Sequence, residues 1–269
     1  MNKCVDPISA IKDLAEFIGH PIQCPGTWTH FVDHPLLANV SIEIGVVQEH
    51  RYAFSYWSKW FAERRQRGAA GGRTALLTID WHDDFGVEGD FDPARLERID
   101  LGDANEISLF SYAMLHCLND GHILPAMHLG IFDSVVMLNK QGVDGSFGRE
   151  VCVAHGRHHD VECYRDLGQA MGSESLLCAD AIYLDVDLDY FVEDADEEPV
   201  LVLKEIAASM LSVDSDLMRM VLPRIDGMTI ALEPDYCGGL QGSMDLLSVL
   251  NDALFDGTMG QSHMRWAER

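Results

Sequence analysis

Two short acidic clusters, each at the end of an apolar run, constrain this chain more than any other feature in it. Asp80-Trp81-His82-Asp83-Asp84 follows Thr74-Ala75-Leu76-Leu77-Thr78-Ile79, and Asp185-Val186-Asp187-Leu188-Asp189 follows Ala181-Ile182-Tyr183-Leu184. Both apolar runs read as buried strands. A buried strand that ends in several carboxylates is costly unless something neutralises them. Oxygen-rich sites with a few imidazoles suit divalent cations such as Mn²⁺. The clusters point to a carboxylate-rich metal site with enough ligands for two ions.

The rest of the sequence narrows what such a site could serve. The chain carries 44 acidic against 19 basic residues, a net charge of −25. That balance argues against nucleic acid or anionic membrane as partners, because both need positive surface. It suits a cationic substrate. The seven cysteines (Cys4, Cys24, Cys117, Cys152, Cys163, Cys178, Cys237) are scattered and form no CxxC pair, so a structural zinc site is not expected. No signal-peptide pattern opens the chain and no run reaches membrane-spanning length. The expectation is a soluble, reduced, cytoplasmic protein.

Strands and helices alternate along the chain. Helical spacing runs from Pro7 to Gly19, with Ile8, Ile11, Leu14 and Phe17 near one face. Asn39–Val47 reads as a strand and Arg51–Gln66 as a helix with cations at its C-terminal end. Further helices are expected over Glu106–Leu118, Pro199–Leu211 and from an N-cap at Ser243 to about Phe255. Ser134–Leu138 and Met228–Leu232 read as strands, and Gly142–Gly148 as a turn-rich connection. Alternation with apolar strands predicts a single α/β domain over residues 1–269, built on a mainly parallel sheet. Ligands of such sheets gather outside the carboxyl ends of the strands, where both acidic clusters fall.

Alternate residues of an extended segment point to one side. Asp80, His82 and Asp84 can therefore converge, and so can the alternating aspartates of the second cluster. A calcium loop is not expected, because its glycine and terminal glutamate are missing. His50, just after a strand, is a further ligand candidate.

These residues carry a resemblance. The paired motifs resemble the arginase or ureohydrolase superfamily. Val47-Gln48-Glu49-His50 with Ser55-Tyr56-Trp57, the words around both acidic clusters, and Ile230-Ala231-Leu232-Glu233-Pro234-Asp235 with Gly238-Gly239 are similar to an arginase-related family. That family includes peptide arginases, which convert arginine residues of a ribosomally made precursor peptide to ornithine and release urea.

The resemblance implies a three-layer αβα, arginase/deacetylase-like fold and a pair of Mn²⁺ ions. It implies His50, Asp80, Asp84 and Asp185 around one ion, and Asp80, His82, Asp185 and Asp187 around the other. Asp80 and Asp185 would bridge. It implies attack of a metal-activated water on the guanidinium carbon. The guanidinium would be held by Glu233, with Asp235 as the rival because register after that strand is open. A proton donor is expected at His122, with His116, His128, His155, His158 and His159 as competitors. The partner implied is an arginine-containing precursor peptide. The arginase loop that grips a free amino acid's carboxylate and amine is not recognisable, which fits a peptide substrate. Alternatives are a ureohydrolase or amidohydrolase acting on a small substrate, and a non-catalytic metal-containing protein that binds a peptide. A homo-oligomer is left open.

Overall fold

The run Thr74-Ala75-Leu76-Leu77-Thr78-Ile79 has no polar face, so a strand made from it must be covered on both sides. In the computed structural model it is strand β3 (Thr74–Asp80), buried at every residue. The structure describes residues 22–69, 71–86, 93–116, 118–142, 147–154, 157–192 and 199–267. The helix expected over Pro7–Gly19, the acidic run Glu193–Glu198, Cys4, Cys117 and His155 lie outside them.

The strands are β1 (Thr27–Asp33), β2 (Ser41–Val47), β3, β4 (Ser134–Asn139), β5 (Gly148–Ala154), β6 (Arg157–Tyr164), β7 (Ala181–Asp187) and β8 (Ile225–Ala231). They form one sheet in the order β1-β2-β8-β7-β3-β4-β6-β5. Ladders from β2 through β6 are parallel, as expected. The outer strands β1 and β5 pair antiparallel and were not foreseen. β1 is mostly solvent-exposed, so its sequence lacks the continuous apolar run that marks the central strands.

Helices flank both faces. Leu77, Ile79, Leu184, Val186, Met228 and Ile230 pack with Leu211, Leu250, Leu254 and Phe255 on one side. Leu76, Val135, Met137 and Tyr183 pack with Phe54, Trp57, Trp60, Phe110 and Phe132 on the other. The architecture is α/β, with a mostly parallel eight-stranded sheet between helices. Among the described residues, no helix is long and apolar enough to cross a membrane.

Helix boundaries follow local chemistry. The helix Ala104–Ala113 starts where the Asp103 carboxylate accepts from the N–H groups of Asn105 and Glu106. It ends five residues before the expected Leu118. The last helix, Gly239–Phe255, starts before Ser243. Ser243 is not its N-cap; it is fully buried, and its hydroxyl donates to the Gly239 carbonyl one turn back.

Two strand glycines admit aromatic rings of the helix Ala53–Gln66. A Cβ at Gly45 would lie 2.7 Å from the Tyr56 ring, and one at Gly227 would lie 2.3 Å from the Trp60 ring. Trp60 is buried and donates from Nε1 to Glu43, so it has little freedom to retreat. Gly227→Ala is expected to destabilise the fold by about 1–3 kcal/mol. Urea unfolding measures this as a lower midpoint at constant slope; an unmoved midpoint would mean that the ring can swing aside.

Candidate metal centre

The neighbouring strands β8, β7 and β3, with β2 beyond β8, all deliver their carboxyl ends to one place. β2 ends just before His50, and β3 ends at Asp80. β7 ends at Asp187, whose side chain accepts from the Asp189 N–H and turns the chain into a short 3-10 helix. β8 leads to Glu233. The Asp80 carboxylate accepts from the His82 N–H at 2.8 Å and folds the first motif back over the strand end. Asn139, at the end of β4, donates to the His82 carbonyl at 3.2 Å and pins the same loop.

Three overlapping ligand-like groups result among the described residues. His50, Asp80, Asp84 and Asp187 offer atoms that all lie within 4.8 Å of one another, and so do Asp80, His82 and Asp189, and His50, Asp84 and His122. Asp80 belongs to the first two, and His122 adds an imidazole beside His50 and Asp84. His50 Nδ1 faces Asp84 at 2.6 Å, Asp187 at 3.0 Å and Asp80 at 3.3 Å. His82 Nδ1 lies 2.8 Å from Asp189 Oδ2.

His50 Nδ1, His122 Nε2, Asp80 Oδ2 and Asp189 Oδ2 are buried and make no well-directed hydrogen bond, although His50 and His82 lie close to these carboxylates. Such atoms are costly unless a cation meets them. The donor set, carboxylates with a few imidazoles, is one that a hard divalent cation accepts. This buried His/Asp cluster can hold metal.

The electrostatics agree. Burial pushes the Asp80 carboxyl well above the usual range, and Asp84 and Asp187 push it further. Burial does the same to Asp187, aided by Asp189, and it raises Asp84. Burial alone would lower the His50 imidazole, but Asp185, Asp84 and Asp187 overcome it and raise it well above its ordinary value. All these shifts favour the protonated forms, as expected of a cluster that has an excess of buried negative charge.

The second acidic cluster shows a shift of one alternate residue. Asp185 was expected to bridge and Asp187 to serve the second ion. Instead Asp187 joins the first group and Asp189 the second, while Asp185 belongs to neither. The strand register is the reason. Asp185 lies opposite Thr78 of β3 and Thr229 of β8, inside the sheet. With Ile79 opposite Val186, the next residue, Asp187, comes level with Asp80. The three aspartates alternate in the sequence, and that spacing could not tell which of them reaches the strand end; Asp185 and Asp187 share one side of β7, and Asp189 follows in the 3-10 helix.

The groups border a cleft of about 230 Å³. Asp83, Asp84, Asp120, Asp187, Asp189 and Glu233 line it, with His82, Asn119, Gln141 and Tyr236. No described Lys or Arg does. A larger hollow of about 420 Å³ lies elsewhere, beside Tyr56 and Lys59. Its buried Glu43 is already engaged by Lys59 at 2.6 Å and Trp60 at 3.0 Å.

Glu233, not the exposed Asp235, faces the cleft. Its Oε1 accepts from the His50 N–H at 2.5 Å and its Oε2 from Asn119 Nδ2 at 3.1 Å. Burial raises its carboxyl to about 7, against the pull of His50. Asp84, Asn119 and Glu233 all have positive φ (47°, 66° and 36°). Left-handed backbone at non-glycine residues is strained and persists only where the surroundings enforce it. Here it gathers at one cleft.

His122 gathers with His50 and Asp84 rather than in the cleft. It is fully buried, stacked on Trp57 at 5.2 Å, and does not line the cleft. Its Nδ1 meets the Asn119 carbonyl at 3.1 Å, and its Nε2 is 3.9 Å from Asp84. Burial holds its imidazole well below the ordinary value, and His50 adds to this. Among the competitors, His116 lies nearest the cleft, with Nδ1 2.7 Å from the lining residue Asp120. His128 and His159 are buried elsewhere, and His158 is exposed. Asn119 and Tyr236 were missed as site residues, because neither belongs to a motif of ligand-type side chains. No protein-family model matches the chain, and no curated protein is significantly similar to it.

Proposed function

We propose that the protein is a manganese-dependent hydrolase that converts arginine residues of a precursor peptide to ornithine and releases urea. One observation carries this reading: two carboxylate–imidazole groups share Asp80 beside a cleft lined by carboxylates and by no described Lys or Arg. The resemblance of the motifs to arginase-related proteins supports it, and with it an arginase-like version of the α/β fold. His50, Asp80, Asp84 and Asp187 would hold one ion, and Asp80, His82 and Asp189 the other. When bound, the pair supplies Lewis acidity and an activated water.

The remaining work falls to the chain. A guanidinium is a flat cationic fork that pairs with carboxylates. Glu233 offers it a carboxylate already aimed by His50 and Asn119. Tyr236, whose ring sits 4.7 Å from the His82 ring, walls the cleft and offers a π face to a bound cation. The reaction takes up one water, breaks the bond from the guanidinium carbon to the side-chain nitrogen, and leaves the ammonium of ornithine beside neutral urea. Asp120, hydrogen-bonded to His116, is the route we assign for the proton that the leaving nitrogen receives.

Incubation of the Mn²⁺-loaded protein with an arginine-containing peptide tests the reading. A loss of about 42 Da per converted arginine, with equimolar urea, is expected. Urea from free arginine but not from the peptide would move the protein to small-molecule chemistry, and no urea from either would overturn the hydrolase reading. Glu233→Gln is expected to lower kcat/KM by roughly 100-fold, since a buried charge partner of the substrate is lost. An unchanged value would remove Glu233 from substrate recognition.

A further inference from the structure

We infer that Asp185 is a positioning residue that holds His50 by Nε2, so that Nδ1 stays bare and faces the cation. The inference rests on the metal-centre reading above.

Asp185 is fully buried and all its partners are donors. Its Oδ2 meets His50 Nε2 at 2.7 Å and accepts from the Thr78 hydroxyl at 2.9 Å. Its Oδ1 accepts from the Thr229 hydroxyl. Trp57 Nε1 donates to that same hydroxyl oxygen at 3.3 Å, which leaves the Thr229 proton for Asp185. Thr78 and Thr229 are its ladder neighbours on either side, so the sheet itself sets this geometry. Both oxygens are thus engaged below the level of the cluster, and Asp185 is absent from every described ligand group.

The consequence lies at His50. A carboxylate only accepts, so the short contact to Nε2 puts the ring proton there. Nδ1 faces the oxygens of Asp84, Asp187 and Asp80. A proton or a metal ion at that point bridges these groups. Once a metal ion takes the place of the proton, the neutral ring keeps its one hydrogen on Nε2 against Asp185, and Nδ1 is the nitrogen offered to the ion. Without Asp185 the neutral ring could carry that hydrogen on Nδ1, in competition with metal. A carboxylate behind a ligating imidazole fixes its tautomer and raises its basicity, and removing it typically weakens metal affinity about 10–100-fold.

The test compares Asp185→Asn, Asp187→Asn and Gly227→Ala with wild type. Mn²⁺ stoichiometry and dissociation constant are measured by following free Mn²⁺ by electron paramagnetic resonance, on folded protein below its melting temperature. Asp185→Asn is expected to bind as many ions as wild type, with a dissociation constant raised about 10–100-fold. Asp187→Asn should bind fewer. Gly227→Ala, which strains the fold away from the site, should lower the melting temperature and leave the affinity alone. Loss of an ion in Asp185→Asn would make Asp185 a ligand. Wild-type affinity in Asp185→Asn, or a matching loss in Gly227→Ala, would make its role purely structural. Either result overturns the inference. Wild-type protein that binds Mn²⁺ but makes no urea would defeat the hydrolase reading and leave Asp185's role standing. Wild-type protein that takes up no divalent cation would sink both.

Discussion

Asp80→Asn is expected to lose bound Mn²⁺ and at least about 1000-fold of peptide conversion. Asp80 is the residue common to the two groups that would hold the ions, is 1% exposed, and carries a buried oxygen that makes no well-directed hydrogen bond. Asparagine preserves shape but removes the charge that two cations would share. Its amide would also point a donor at one of the ions. The fold should survive, because asparagine keeps the shape of the side chain and burial already disfavours the charged form of Asp80 in the metal-free protein. Circular dichroism, metal content and urea release on the same sample check the result. A folded variant with full metal content and full turnover would remove Asp80 from the site.

The second large effect is on stability. Metal-free protein is expected to melt at a lower temperature at pH 8 than at pH 6, and saturating Mn²⁺ is expected to reverse most of that loss. Asp80 and Asp187 are held well above the ordinary carboxylate range by burial and by neighbouring carboxylates. Asp84 is raised as well, and Glu233 is pushed to about 7. Between the unfolded and folded values, the folded protein binds protons that the unfolded chain has released. Stability from these groups is complete below about pH 4 and is lost as pH climbs through the folded values. His50 has the same sign, because its folded value is raised. His122 opposes it only below about pH 6.5, where the unfolded chain protonates and the buried ring does not.

The ligands must shed their protons to bind metal, so the Mn²⁺ contribution grows with pH. At a thousandfold excess over its dissociation constant, an ion adds about 4 kcal/mol. For a chain of this size that is about 8–16 °C. Surface repulsion among the excess acidic residues also weakens the fold at high pH, but only the site's part responds to Mn²⁺ and chelator. Scanning calorimetry at the two pH values, with each, separates them. A melting temperature indifferent to Mn²⁺ at pH 8 would mean that the carboxylates hold no cation.

The motifs carried much of this in one dimension. His50, Asp80, His82, Asp84 and Asp187 were legible because ligand-type residues stand at fixed intervals behind apolar runs, and the structure gathers all five. Glu233 was legible only as one of two acidic residues beyond β8, with Asp235 as its rival, and the structure turns Glu233 to the cleft and leaves Asp235 exposed. His122 was legible only as one histidine among several, because a histidine in a loop has no periodic signal to say whether it faces solvent, core or cleft; the structure gathers it with His50 and Asp84 but outside the cleft lining. Asn119 gave no signal either, and it matters only because the fold brings its amide 3.1 Å from Glu233, 114 residues away.

The sequence by itself determined the class of fold and the kind of side chains that gather at the candidate site. Continuous apolar strands must be covered on both faces, and carboxylates at their ends must be neutralised. Both requirements are local and survive without knowledge of neighbours. What only the tertiary structure decided is register: which of Asp185, Asp187 and Asp189 stands level with Asp80. The three stand at alternate positions in the sequence, so their spacing is silent on the point. The β3–β7 and β7–β8 ladders settle it by fixing the height of each residue, and they leave Asp185 between two threonines with its charge turned to His50.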